Sequence, residues 1–159
     1  AMVKSGIAPK KLLPGTGVAS IMETVELTQH ALANGVNTVV MLPPYYYKGV
    51  SDDGIVDAYT AIIERINDPR LRVVLYHIPQ MSAVPISLDV IDRLIKRFPE
   101  IVVGIKDSSG DFANMKAMVE RFPGFDVFSG SEEYLLDILR QGGVGTISAT
   151  FSASFTWTS

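Results

Sequence analysis

The sequence predicts an α/β fold built from repeated βα units on a parallel sheet. Short apolar segments rich in β-branched residues alternate with segments of helical spacing along the whole chain. Successive strand-like segments recur every roughly 20 to 35 residues, the length of one βα repeat. Glycine, proline, serine or aspartate punctuates nearly every junction between them. Six such segments fit either an open doubly wound sheet or part of an eight-stranded barrel. A complete barrel typically needs about 250 residues, and this chain has 159, so the barrel alternative requires sequence beyond it.

The elements follow in order. Leu12 and Leu13 form a short first strand ahead of Pro14-Gly15-Thr16-Gly17. Ser20 with Glu23 is a capping box, Met22, Val25 and Leu32 mark one helix face, and Gly35 stops the helix. Residues 36–42 form the second strand and end in Pro43-Pro44-Tyr45-Tyr46-Tyr47. After a loop over residues 48–53, Ile55, Tyr59, Ile62, Ile63 and Ile66 keep helical spacing until Asp68-Pro69. The third strand, residues 73–76, runs into His77-Ile78-Pro79. Ser87 caps a helix carrying Val90, Ile91, Leu94 and Ile95, closed by Phe98-Pro99.

Ile101, Val102, Val103 and Ile105 then read as a strand buried on both faces, with Lys106 at its carboxyl end and Asp107-Ser108-Ser109-Gly110 as the turn. Asp111 caps a helix with Met115, Met118 and Phe122 inward. Pro123-Gly124 leads to a strand ending Val127-Phe128-Ser129-Gly130. Ser131 caps a helix with Leu135, Ile138 and Leu139 apolar, Gly142-Gly143 stops it, and residues 144–149 form the sixth strand.

Composition narrows the function. At 47% hydrophobic and a mean hydropathy of +0.24, the chain can bury a core. A net charge of -3 provides no basic field for nucleic acid, and no charge run suggests a membrane surface. No stretch is long and apolar enough to span a bilayer, and the amino end does not read as a signal peptide, so a cytoplasmic location is expected. With no cysteine there is neither a disulfide framework nor a thiolate nucleophile. His30 and His77 are the only histidines, which argues against an imidazole-held metal.

In both candidate architectures ligands bind at the carboxyl ends of the strands, and the unusual polar residues collect there. A lysine desolvated at such an end presents a fraction of neutral amine, which attacks a carbonyl to form a Schiff base. The alternative is that Lys106 snorkels into solvent. Tyr76 ends its strand as Lys106 ends a later one, and a phenol there can move a proton to or from substrate; otherwise it is an ordinary strand tyrosine. Tyr45, Tyr46 and Tyr47 cannot all enter one core, so at least one faces a cleft or a partner chain. Gly15-Thr16-Gly17 reads as a tight turn rather than an anion cradle. Gly130-Ser131 can hold an anion, although Ser131 is adequately explained as a cap.

Gly15-Thr16-Gly17, Pro44-Tyr45-Tyr46, Tyr76-His77-Ile78-Pro79, Gly104-Ile105-Lys106-Asp107-Ser108-Ser109-Gly110 and Gly142-Gly143-Val144-Gly145-Thr146-Ile147-Ser148 resemble, in order and spacing, the dihydrodipicolinate synthase and N-acetylneuraminate lyase family. The resemblance covers nearly the whole chain and implies an eight-stranded (β/α) TIM barrel, with residues 1–159 supplying its third to eighth strands. The first two βα units and the closing carboxyl-terminal helices are expected to be missing. Lys106 is similar to the Schiff-base lysine, Tyr76 to the proton-relaying tyrosine and Tyr46 to the relay or interface tyrosine. Ile147 is similar to the residue whose backbone contacts the oxo acid, and Tyr45 and Gly130 join the substrate-binding set.

Two motifs depart from the family pattern. Its Gly-Thr-Thr-Gly-Glu motif is absent. Its Tyr-Asn-x-Pro-x-Arg-Thr-Gly appears as Tyr76-His77-Ile78-Pro79-Gln80-Met81-Ser82-Ala83, with Met81 where an arginine grips a second carboxylate. The resemblance therefore implies a class I lyase or aldolase that needs no cofactor. It would act on pyruvate or a related 2-oxo acid with an aldehyde partner lacking that carboxylate, and would assemble as a homo-oligomer. The alternative from another class is a catalytically silent truncated barrel serving as a structural or oligomerising unit.

Overall fold

The computed structural model describes residues 2–149. Five strands, β1 (Thr38–Met41), β2 (Arg72–His77), β3 (Val102–Asp107), β4 (Asp126–Ser129) and β5 (Gly145–Thr146), pair in parallel in the order β1-β2-β3-β4-β5. Between and before them run α1 (Ile21–Ala33), α2 (Asp52–Ile66), α3 (Pro79–Ser82), α4 (Leu88–Arg97), α5 (Phe112–Arg121) and α6 (Leu135–Arg140). A doubly wound sheet reverses its strand order at a switch point, whereas this order never reverses, so the sheet is an arc of a (β/α)8 barrel. With right-handed crossovers, a monotonic order puts the connecting helices on one face. Accordingly α1 packs on α2, α2 on α4, and α5 on α6.

Caps start the helices where side-chain oxygens meet the first free N–H groups. Ser20 accepts from the Glu23 amide, Ser87 from Val90 and Asp111 from Asn114. Ser51 does the same for Gly54, so α2 begins at Asp52, within the stretch expected to be loop. Ile55, Tyr59, Ile62, Ile63 and Ile66 are buried as their spacing predicts, and so are Val90, Ile91, Leu94, Met115, Met118 and Phe122. Met22, expected inward, is 56% exposed. It lies in the first turn of α1, ahead of the stretch where Val25 and Leu32 are buried.

The ends of the sheet depart from the sequence reading. Leu12 and Leu13 are not a strand, because the Leu12 amide closes the 3-10 turn Pro9–Lys11 by donating to Pro9. The pairing moves to Pro14–Gly15–Thr16 and shrinks to one parallel bridge, Gly15 with Val40. There Val40 donates to the Pro14 carbonyl at 2.9 Å and Thr16 to that of Val40 at 3.0 Å. At the other end the strand expected over residues 144–149 is two residues long, with the Val144 and Ile147 amides adding single bonds to Val127 and Ser129 on either side of it. The phenylalanines, threonines and tryptophan beyond Ala149 lie outside the described residues.

Register separates the two faces of the sheet. Val39, Met41, Val73, Leu75, Ile105 and Val127 are each 0% exposed and belong to the core under the helices. Tyr76, Lys106 and Phe128 occupy one transverse row on the opposite face and are half-buried. A bulge keeps β3 in that phase: Val73 pairs with Val102 but Val74 pairs with Gly104, leaving Val103 without an opposite number.

Candidate active site

Lys106 is held from both sides. Its neighbours Ile105 and Asp107 point under the helices and are fully buried, so the backbone is fixed while the lysine itself faces away from them. Its Nζ lies 4.0 Å from the centroid of the Tyr76 ring, within the range of a cation–π attraction. These two predicted residues are brought together across the β2–β3 pairing, with Phe128 next in the row.

Below that row, on the helix side, His77, Asp107 and Ser129 form a buried polar layer. Asp107 accepts from the Ser109 amide at 2.7 Å and from Asn114 Nδ2 at 2.9 Å. Ser129 Oγ donates to the Ser131 carbonyl at 2.7 Å and accepts from the Ser131 amide at 3.1 Å. His77 Nδ1 accepts from the Ile86 amide at 3.1 Å, which fits a neutral ring carrying its hydrogen on Nε2. Burial pushes His77 below its ordinary value, against an opposing pull from the Asp107 and Asp111 carboxylates. The layer thus pins the loops that follow β2, β3 and β4, the loops in which a barrel builds its site.

The other predicted residues are placed around this centre. Gly130 donates to the Asp107 carbonyl at 2.6 Å, and a Cβ there would collide with the Ser108 side chain. Its glycine character follows from that close approach. Ile147 is half-buried and donates its amide to Ser129 at 2.9 Å. Of the three tyrosines, Tyr45 packs on the core, while Tyr46 and Tyr47 are 74% and 76% exposed and meet edge to face at 5.2 Å. Thr16 is buried and accepts from Thr28 at 3.0 Å, which ties the Gly15-Thr16-Gly17 turn to α1.

Leu42, Tyr45, Ile78, Met81 and Ser82 line a cleft of about 210 Å³ just beyond the carboxyl ends of β1 and β2. Lys48 spans its walls, its Nζ donating to the carbonyls of Tyr45 and, at 2.8 Å, Ser82. A larger hollow of about 420 Å³ between Pro9 and Thr38 lies at the amino end of β1, away from the Lys106 row. Sequence reasoning did not find Lys48 or Phe128. Phe128 follows from counting back from strand ends, but Lys48 reaches a partner 34 residues away and leaves no local signal.

The sequence model of the dihydrodipicolinate synthetase family matches residues 4–155. An uncharacterized DapA-like lyase of Chloroflexus aurantiacus is 34% identical over 142 residues, 89% of this chain and 47% of that protein. A 4-hydroxy-tetrahydrodipicolinate synthase of Listeria monocytogenes is 39% identical over 140 residues, 87% and 46% respectively. The chain spans about half the length of these curated relatives. Dihydrodipicolinate synthase from Agrobacterium tumefaciens superimposes with a TM-score of 0.86 at 34% identity, over 92% of this chain and 51% of that one. The 2-keto 3-deoxygluconate aldolase of Picrophilus torridus gives 0.80 at 30%, over 89% and 50%. Sequence match and superposition agree over the residues that build the sheet and its helices, and the chain belongs to the dihydrodipicolinate synthetase family.

Proposed function

We propose that this protein is a class I lyase or aldolase in which Lys106 forms a Schiff base with pyruvate or a related 2-oxo acid. The observation that carries the reading is the Lys106 Nζ lying 4.0 Å over the Tyr76 ring, at the carboxyl end of a barrel strand and on the face away from the helices. Relatives named as synthases, lyases and an aldolase, and an E. coli family structure solved with pyruvate, support the same chemistry.

The Lys106 amine adds to the C2 carbonyl of the oxo acid, and the carbonyl oxygen leaves as water. The protonated imine then draws electrons from the adjacent carbon. Loss of a C3 proton gives the enamine, whose C3 attacks the aldehyde carbonyl; hydrolysis frees the product and restores the amine. Cleavage runs the same steps backwards. Tyr76 carries protons, with Tyr46 as a relay or as an anchor on a second copy of the chain. The Ile147 amide is already committed to Ser129, which leaves its carbonyl to meet the oxo acid beside Tyr45 and Gly130. The chain supplies the third to eighth strands of the barrel.

Intact mass after incubation with pyruvate and borohydride, followed by peptide mapping, tests this. The expected result is a reduced pyruvyl adduct on Lys106. Tyr76→Phe should leave trapping intact and slow deuterium exchange at C3 of pyruvate by roughly 10²- to 10⁴-fold. A wild-type protein that forms no adduct with pyruvate would overturn this reading.

A further inference from the structure

We infer that Gln80 is a positioning residue: its side chain adds one last rung to the β2–β3 ladder, just beyond Tyr76 and Lys106, and so keeps phenol and amine in contact. Its weight in proton transfer rests on the Schiff-base reading; its hold on the Lys106–Tyr76 contact does not.

In a parallel pair the amides and carbonyls of one strand bond evenly and alternately to the other. Tyr76 pairs with Lys106 and His77 with Asp107, and the Ser108 amide then donates to the His77 carbonyl at 2.8 Å. The next bond of that pattern would run from the amide of residue 79 to the Ser108 carbonyl. Residue 79 is proline, which has no N–H to give. Gln80 supplies the donor instead, its Nε2 reaching the Ser108 carbonyl at 2.6 Å from 28 residues away along the chain. A carbonyl only accepts, so the nitrogen of the side-chain amide is the atom that faces it. Pro79 thus opens α3 and ends the backbone pairing, and the next side chain makes the missing bond.

The bond also lies where two stitched parts of the loop layer meet. On one side the Lys48 ammonium joins the loop after β1 to α3 through the carbonyls of Tyr45 and Ser82. On the other, Gly130 donates to the Asp107 carbonyl and the Tyr134 hydroxyl to that of Gly110 at 3.1 Å, which fastens the Lys106 turn to the segment after β4. Gln80 joins α3 to that turn. Because Gln80 is exposed, water can replace it on the Ser108 carbonyl, and global stability has little to lose. What goes is a constraint on the two strand ends that carry the reacting groups, where a misplacement of about 1 Å can cost on the order of 10²-fold in rate.

Gln80→Ala and Gln80→Glu in the whole chain test the inference, the second keeping the shape while its ionised carboxylate has no N–H to donate. In the wild type, NMR should show a coupling across the hydrogen bond from Gln80 Nε2 to the Ser108 carbonyl carbon, and an upfield shift of the Lys106 protons beside Nζ caused by the Tyr76 ring. In both variants those protons should move toward the ordinary lysine position at a nearly unchanged urea midpoint. The borohydride adduct should still form, while kcat for deuterium exchange at C3 of pyruvate falls by roughly 10- to 100-fold and KM stays within about threefold. Lys106 protons that do not move in Gln80→Ala, or an exchange rate that falls only in proportion to the folded fraction, would overturn the inference. A wild type that forms no adduct defeats the Schiff-base reading instead, and the Lys106 shift still decides whether Gln80 holds the contact.

Discussion

Under the helices, Leu75, Ile105 and Val127 are sealed from water; on the other face of the same strands, Tyr76, Lys106 and Phe128, each one residue further on, stay half open. One position along the chain separates two kinds of physics. On the helix side every side chain has apolar neighbours, and removing one leaves a void. On the open side a lysine and a tyrosine meet with room beside them. The polar residues His77, Asp107 and Ser129 close the buried side at its upper end and hold the loops that surround the open side. On the proposed function the helix side determines stability and the open side determines chemistry, and adjacent substitutions should separate the two.

The sharpest test exchanges neighbours. Lys106→Ala should abolish pyruvate trapping completely while changing the urea midpoint little, whereas Ile105→Ala should cost about 2 to 5 kcal/mol in urea unfolding and leave the folded fraction able to form the adduct. Equal loss of stability in both variants would erase the distinction between the faces. His77 gives the next effect. Its native value is depressed by burial, so the unfolded chain binds the extra proton, and stability rises with pH up to the ordinary histidine value near ~6.5 and is lost as pH falls below it. The slope from this group is at most about 1.4 kcal/mol per pH unit, and His77→Asn, which keeps an acceptor for the Ile86 amide, should flatten it in a pH series of urea melts. Ala83 sets the smallest effect. It sits at φ +53°, in the left-handed region, so Ala83→Gly should raise unfolding stability by about 1 kcal/mol without altering adduct formation.

Much of this arrangement was legible in the sequence, for physical reasons. Ser20, Ser87 and Asp111 announced their helices because a cap acts within three residues. Lys106 and Tyr76 were readable because a strand end is marked by the turn formers after it. Their shared face needed register, and register came with a bulge at Val103 that β-branched periodicity does not show. Helix α3 was missed because four residues opened by Pro79 carry no period. The short first and last pairings were over-read because apolar residues mark burial, while pairing depends on free N–H groups, one of which Leu12 spends on its own turn. Whether Tyr46 serves as a relay depends on what its exposed ring meets, and that is not encoded nearby.

The bulge at Val103 has a practical consequence. Beyond it, Gly104, Ile105, Lys106 and Asp107 keep step with Val74, Leu75, Tyr76 and His77, and before it Val102 keeps step with Val73. Val103 is a slack link between two segments that are each in phase. Deleting that one residue would close the ladder and leave Lys106 opposite Tyr76, whereas deleting Ile105 would swing the lysine under the helices. The strand can lose or gain length at its root without moving Lys106, an insulation that lets the amino side of β3 vary while the carboxyl side stays fixed.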